Sequence, residues 1–158
     1  MPFVVEDGTG VGEADSFASV AQARQYAAAR GKEFPDNDVE VEQLLTLAID
    51  YLKTIKFSGE PLNSTQSLPF PRVGFGLPSA IVSSQIILAL EARNADLQPN
   101  PTAEVQREKV DVLEVQYFPS SSRPGERQIF SKVEALLEPY LAGAEQSSGS
   151  LCLKSQRI

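Results

Sequence analysis

In the run Asp38-Val39-Glu40-Val41-Glu42-Gln43-Leu44-Leu45-Thr46-Leu47-Ala48-Ile49-Asp50-Tyr51-Leu52-Lys53-Thr54-Ile55, the side chains of Val41, Leu44, Leu45, Ala48, Tyr51, Leu52 and Ile55 recur at helical spacing. One apolar stripe on an otherwise polar helix must be buried against other helices, so this run predicts the central core helix of a helical domain. Asp38 is placed to cap its amino end, Asp36 lies beside it, and Glu40 and Glu42 complement the helix dipole. Asp50 has two readings, an exposed position on the polar face or a partner for Arg72.

Upstream, glycines at 8, 10 and 12 predict a flexible lead-in over residues 6–14. Asp15 or Ser16 then caps a first, alanine-rich helix that Gly31 terminates. Phe17, Val20, Ala21, Ala27 and Ala28 fall on or near one face of it. Downstream, Gln66-Ser67-Leu68-Pro69-Phe70-Pro71-Arg72 lies in a long loop, 58–77. Each proline fixes its own φ and pushes the preceding residue to extended geometry, so Leu68 to Arg72 form a stiff strap. The strap either pins Phe70 into the domain's own core or presents it to a partner.

Pro78 suits the start of a third helix, in which Ile81, Val82, Ile86, Leu88, Ala89 and Leu90 spread round much of the circumference and imply burial on more than one side. Asn94 to Pro101 ends it. Val110, Val112, Val115 and Tyr117 mark a strand or hairpin within 108–118 that has too few apolar residues for a sheet core, so pairing with another chain is expected. After the loop Pro119 to Gly125, Ile129, Val133, Leu136, Leu137, Tyr140 and Leu141 mark a last helix that Pro139 bends or ends. The fold class expected is therefore mainly α. It is a small bundle of about four helices with a short projecting β strand or hairpin and an extended carboxy-terminal tail. Residues 1–142 form the helical domain, and 143–158, polar and rich in Ser and Gly before Leu151 and Leu153, form a flexible arm.

The chain has 158 residues, a net charge of −7 and no histidine. Its length is one domain's worth. Residues 1–57 hold ten acids against five bases, so the negative charge is concentrated there and no broad basic face is available to hold a nucleic-acid backbone. Without histidine, the commonest general base and metal ligand is missing, which excludes a Ser-His-Asp triad and the usual zinc sites. Gly8-Thr9-Gly10-Val11-Gly12 lacks the strand, helix and Gly-Lys-Ser/Thr of a phosphate loop. The pairs Asp36/Asp38, Glu40/Glu42 and Glu108/Asp111 read as solvated structural carboxylates. The single Cys152 has no partner for an internal disulfide. No enzyme, cofactor or metal is expected. No run approaches the length of a membrane span, and Met1-Pro2-Phe3 opens without the blocks of a signal peptide.

Several short segments in order resemble one family. Val4-Val5-Glu6-Asp7-Gly8-Thr9-Gly10, Ala14-Asp15-Ser16-Phe17-Ala18-Ser19-Val20 and Ala29-Arg30-Gly31 are similar to the start of tailed-phage head-to-tail connector (adaptor) proteins. Ala48-Ile49-Asp50-Tyr51-Leu52, Phe57-Ser58-Gly59 and the strap resemble the family's middle, where members often carry tryptophan in place of Phe70. Glu108-Lys109-Val110, Leu113-Glu114-Val115, Tyr117 and Ala135-Leu136-Leu137-Glu138-Pro139-Tyr140-Leu141 resemble its carboxy-terminal half. The likeness spans about residues 4 to 142.

This resemblance implies a structural virion protein of the neck, assembled in the host cytoplasm. It forms a homo-oligomeric, dodecameric ring on the portal protein, extends the DNA channel and docks the downstream neck or tail protein. DNA then passes without specific binding. Relatives are also labelled single-stranded-DNA-binding-like, so the alternative is a single-stranded-DNA-binding replication accessory. That function needs aromatic platforms interleaved with bases, and only Phe70-Pro71-Arg72 and Tyr117-Phe118 with Arg123 and Arg127 approach the pattern. Candidate contact residues are Gln66, Leu68, Pro69, Phe70, Pro71 and Arg72 in the strap, Val112, Val115 and Tyr117 in the strand region, and Leu151, Leu153 and Arg157 in the arm.

Overall fold

Side-chain caps and one glycine set the first helix. The computed structural model describes residues 2–98, 108–110, 113–115 and 130–143. Helix α1 runs Val20–Ala28, and its cap is Ser19, neither Asp15 nor Ser16. Ser19 Oγ accepts from the Gln22 amide at 3.2 Å while Gln22 Oε1 accepts from the Ser19 amide at 2.9 Å, a reciprocal capping box. Asp15 instead accepts from the Val4 amide at 3.0 Å, holding the amino-terminal segment beside Ser16. At the other end Gly31, at φ 65°, closes the helix as expected: its amide reaches the Ala28 carbonyl and that of Lys32 reaches the Ala27 carbonyl. The buried face of α1 is Ala23 and Ala27, one turn apart, whereas Ala21 and Ala28 are exposed.

Helix α2 spans Asp38–Lys53, with Asn37 rather than Asp38 as the cap. Asn37 Oδ1 accepts from the Val39 amide at 3.1 Å, so Asp38 becomes the first helical residue and pairs with Arg24. Its buried stripe is Val41, Leu45, Ala48, Ile49, Tyr51 and Leu52, close to the helical register of the sequence. Asp50 is exposed.

Helix α3, Ser79–Ala92, follows Pro78, which stands one residue outside the helix. It contacts α1, α2 and α4, the last being Ser131–Leu137. Every residue from Ser84 to Leu90 is buried, so α3 is the hub of the bundle, a place that periodicity alone assigns to α2. Pro139 ends α4, and Glu138–Tyr140 continue as a single 3-10 turn. Two three-residue strands, β1 Glu108–Val110 and β2 Leu113–Val115, pair antiparallel with each other, Lys109 opposite Glu114. Among the described residues the architecture is thus four α-helices with almost no strand, and the pairing at β1 is within the chain.

Two buried polar side chains organise the start of the chain. Glu6, 3% exposed, accepts from the Gly8 and Gly10 amides on one oxygen and from the Val11 amide on the other, at 2.8–3.0 Å. Residues 6–11 therefore wrap a carboxylate and are not the free lead-in that three glycines imply. Gln85, wholly buried on α3, accepts from the Phe17 and Ala18 amides at 3.0 and 3.1 Å. Its amide nitrogen donates to Ser16 Oγ at 2.7 Å and to the Leu45 carbonyl at 3.1 Å, so one side chain ties the approach to α1 to α2 and α3.

Candidate partner-binding surface

The loop between α2 and α3 folds around its own two anchors. Phe70 has no exposed surface and meets Phe57 and Tyr140 edge-to-face, with ring centroids 4.9 and 5.9 Å apart. Aromatic edges carry partial positive charge and faces negative, so this geometry adds to the burial. Tyr140 arrives from the far end of the described chain: the Ser58 amide donates to its carbonyl at 2.8 Å, and the Ala142 amide donates to the Lys56 carbonyl at 3.0 Å. The pocket for Phe70 is therefore closed by a segment far along the chain.

Arg72 is the second anchor. Its Nε donates to the Pro69 carbonyl at 2.8 Å, and Nη1 reaches the carbonyls of Phe57, Ser58 and Gly59 at 3.2, 3.3 and 2.5 Å. The guanidinium carbon lies 5.8 and 5.7 Å from the Phe57 and Phe70 rings. Burial lowers its pKa below the usual guanidinium value, yet the group stays a cation at neutral pH. Asp50 is not its partner; carbonyl oxygens fill that role. An arginine suits them because its planar fork offers several donors in one plane to carbonyls that converge from two segments.

The rest of the strap is braced in the same way. Gln66 accepts from the Asn63 amide at 3.0 Å and donates to the Leu68 and Pro71 carbonyls at 2.8 and 3.0 Å. Ser67 Oγ donates to the Ala14 carbonyl at 2.6 Å and Asn63 Nδ2 to the Gly10 carbonyl at 3.3 Å, so the Glu6 loop sits directly on the strap. Leu68 and Pro71 are buried and Pro69 half-buried. The strap side chains singled out in the sequence thus turn inward.

What the loop turns outward is different: Leu62, Val73 and Phe75, 48%, 57% and 39% exposed. The Leu62 amide bonds the Pro71 carbonyl, the Val73 amide bonds the Glu60 carbonyl, and Arg72 and Gly76 exchange main-chain bonds. These carry the exposed apolar residues on a framework held by Phe70 and Arg72, with Phe75 also edge-on to Tyr140 at 5.5 Å. The sequence does not single them out, because an apolar residue in a Gly-punctuated loop carries no periodicity. Of the other candidates, Val115 lies on β2, while Val112, Tyr117, Leu151, Leu153 and Arg157 are outside the described residues, as are Cys152 and the pair Arg123 and Arg127. No group of three or more metal-ligating side chains occurs among the described residues, and no described helix is long and apolar enough to cross a membrane.

All of residues 1–158 match the model of a family described as putative DnaT-like ssDNA binding protein. The chain belongs to that family. No curated protein and no solved structure matches it. In this DnaT-like chain the aromatic and the cation of the strap are engaged inside the fold, and the loop exposes Leu62, Val73 and Phe75 beside polar residues such as Glu60, Asn63 and Thr65.

Proposed function

We propose that the chain is a structural connector of a tailed-phage neck: its copies form a ring on the portal protein, extend the DNA channel and dock the next neck or tail component. The observation that carries this reading is the loop 58–77, an internally braced framework that holds Leu62, Val73 and Phe75 toward solvent. A preformed apolar platform loses little conformational entropy on docking, which suits an assembly protein. The ordered likeness of its segments to connector proteins supports the same reading. So does the net charge of −7, since repulsion keeps a conduit from retaining DNA. On this reading the protein needs no cofactor and resides at the portal vertex of the virion. Replacing Phe75 with Asp is the direct test: a folded protein with weakened attachment to portal or tail partner is expected, and unchanged attachment contradicts the role of this surface.

The family's description favours a second reading, binding of single-stranded DNA. Such binding requires exposed aromatic rings between cations. Phe70 is sealed and Arg72 is bonded to four main-chain carbonyls, so this reading draws instead on Tyr26 and Phe130, half-buried among Arg30, Lys32 and Lys132. Fluorescence anisotropy with a labelled oligonucleotide over a salt series distinguishes the two: salt-dependent binding at micromolar protein favours the accessory protein, and its absence favours the connector.

A further inference from the structure

A ring of identical subunits needs two different complementary surfaces on each copy, because its interface is head-to-tail. One surface is a cleft of about 530 Å³ where the end of α1, α3 and the start of α4 meet. It is lined by the half-buried rings of Tyr26 and Phe130 over the buried Ile87, Leu90 and Val133, and its rim carries Arg30, Lys32 and Lys132. Among the described residues that line it, Glu91 is the one acid, 3.8 Å from Lys32. Arg30 is held over the Tyr26 ring at 3.5 Å and donates to the Tyr26 carbonyl, so its charge is fixed at the rim.

The other surface is the outer ridge of α2. Val39 and Leu47 are 55% and 51% exposed, large values for apolar residues two turns apart on one helix. Glu40, Gln43 and Asp50 are exposed beside them. The ridge thus mixes apolar and acidic side chains, with Gln43 and Asp50 between Val39 and Leu47 and Glu40 at its edge, whereas the exposed charges of the cleft are mostly basic.

The two surfaces lie on opposite sides of the α2–α3 pair. Gln85 on α3 bonds α2 at Leu45, and at about 100° per residue Ile87, Leu90 and Glu91 stand roughly 140–240° round α3 from Gln85. On α2, Val39, Gln43, Leu47 and Asp50 stand roughly 120–200° round from Leu45, whose side chain is wholly buried. Opposed placement is what a closed, head-to-tail ring requires, whereas a two-fold dimer would match one surface to itself.

We propose that the occupant of the cleft is the α2 ridge of a second copy of this chain, Val39 and Leu47 entering over the apolar lining with Glu40 and Asp50 facing Arg30, Lys32 and Lys132. This rests on the ring reading above and names its subunit contact. The test is native mass and sedimentation velocity of the full chain as wild type, Glu40→Lys, Lys132→Glu and the double variant, with circular dichroism confirming that each folds. Each single reversal is expected to weaken self-association about tenfold or more, and the double reversal to restore much of it, which a merely local disturbance does not do.

If the wild type assembles and both single variants assemble equally well, this contact is wrong while the ring stands. A wild type that stays monomeric through its concentration range, alone and beside portal protein, removes the contact and the ring together. If Lys132→Glu abolishes oligonucleotide binding and leaves assembly unchanged, the cleft belongs to nucleic acid and the proposal is overturned. Should a charge reversal unfold the chain, Lys132→Gln and Glu40→Gln replace it, with loss of assembly supporting the contact and full assembly refuting it.

Discussion

Replacing Gln85 with leucine keeps the volume of the side chain and removes its hydrogen bonds at the centre of the bundle. The consequences for the four partners differ. The Ala18 amide retains Ser16 Oγ at 3.1 Å, Ser16 Oγ still donates to the Ala18 carbonyl at 2.7 Å, and the Leu45 carbonyl keeps its place in the α2 ladder. The Phe17 amide has Gln85 Oε1 as its partner and is left buried without one. An orphaned buried donor costs about 1–3 kcal/mol and each of the three other bonds is worth about 1 kcal/mol net. The added apolar surface of leucine offsets roughly 2 kcal/mol. The expected loss is then about 3 kcal/mol, or roughly 6–12 °C in melting temperature for a chain of this size.

Guanidinium titration followed by circular dichroism measures the change, and Gln85→Glu adds a check of sign. The carboxyl introduced there is desolvated and faces the Leu45 carbonyl, so its folded pKa is raised above the unfolded value of about 4.3. The folded state then holds the proton more tightly, and the variant loses stability as pH rises from the unfolded to the folded pKa. A Gln85→Leu variant as stable as wild type, or a Gln85→Glu variant whose stability rises over that interval, refutes the account of this network.

Three further outcomes follow from the loop. Phe70→Ala empties a fully enclosed site between Phe57 and Tyr140 and is expected to cost about 4 kcal/mol, read as loss of monomer stability in thermal melting. Gly10→Ala places a Cβ 2.9 Å from the Asn63 Cβ at φ 83°, so a destabilisation of about 2 kcal/mol is expected, and a neutral result means the Glu6 loop is free to move. Arg72→Lys exchanges a fork for a point charge that cannot reach all four carbonyls, with an expected loss of about 2 kcal/mol and faster amide exchange at Val73 and Gly76.

The parts of the fold carried by local pattern are legible in the sequence. The stripe from Val41 to Leu52 sets the register of α2 because helical burial repeats every three to four residues, and Gly31 and Pro139 act through their own backbones. The α1 cap is harder to place because three candidates lie within five residues, although Ser19-x-x-Gln22 carries the capping-box signature. Glu6 and Gln85 escape a sequence reading for a physical reason: each is satisfied largely by main-chain groups whose approach depends on the fold, and neither leaves a side-chain pattern. Pro69 and Pro71 mark the strap as stiff, but its inward direction depends on Tyr140, far along the chain. Leu62, Val73 and Phe75 become candidates only once the framework beneath them is seen.

We propose above that this chain works as a ring on a phage portal. Native mass measurement of the purified full chain, alone and mixed with the portal protein of the same phage, tests it most directly, with a labelled oligonucleotide in a parallel sample. The account predicts a discrete ring-sized assembly that binds portal and leaves the oligonucleotide free. A chain that stays monomeric beside portal and takes up the oligonucleotide contradicts it.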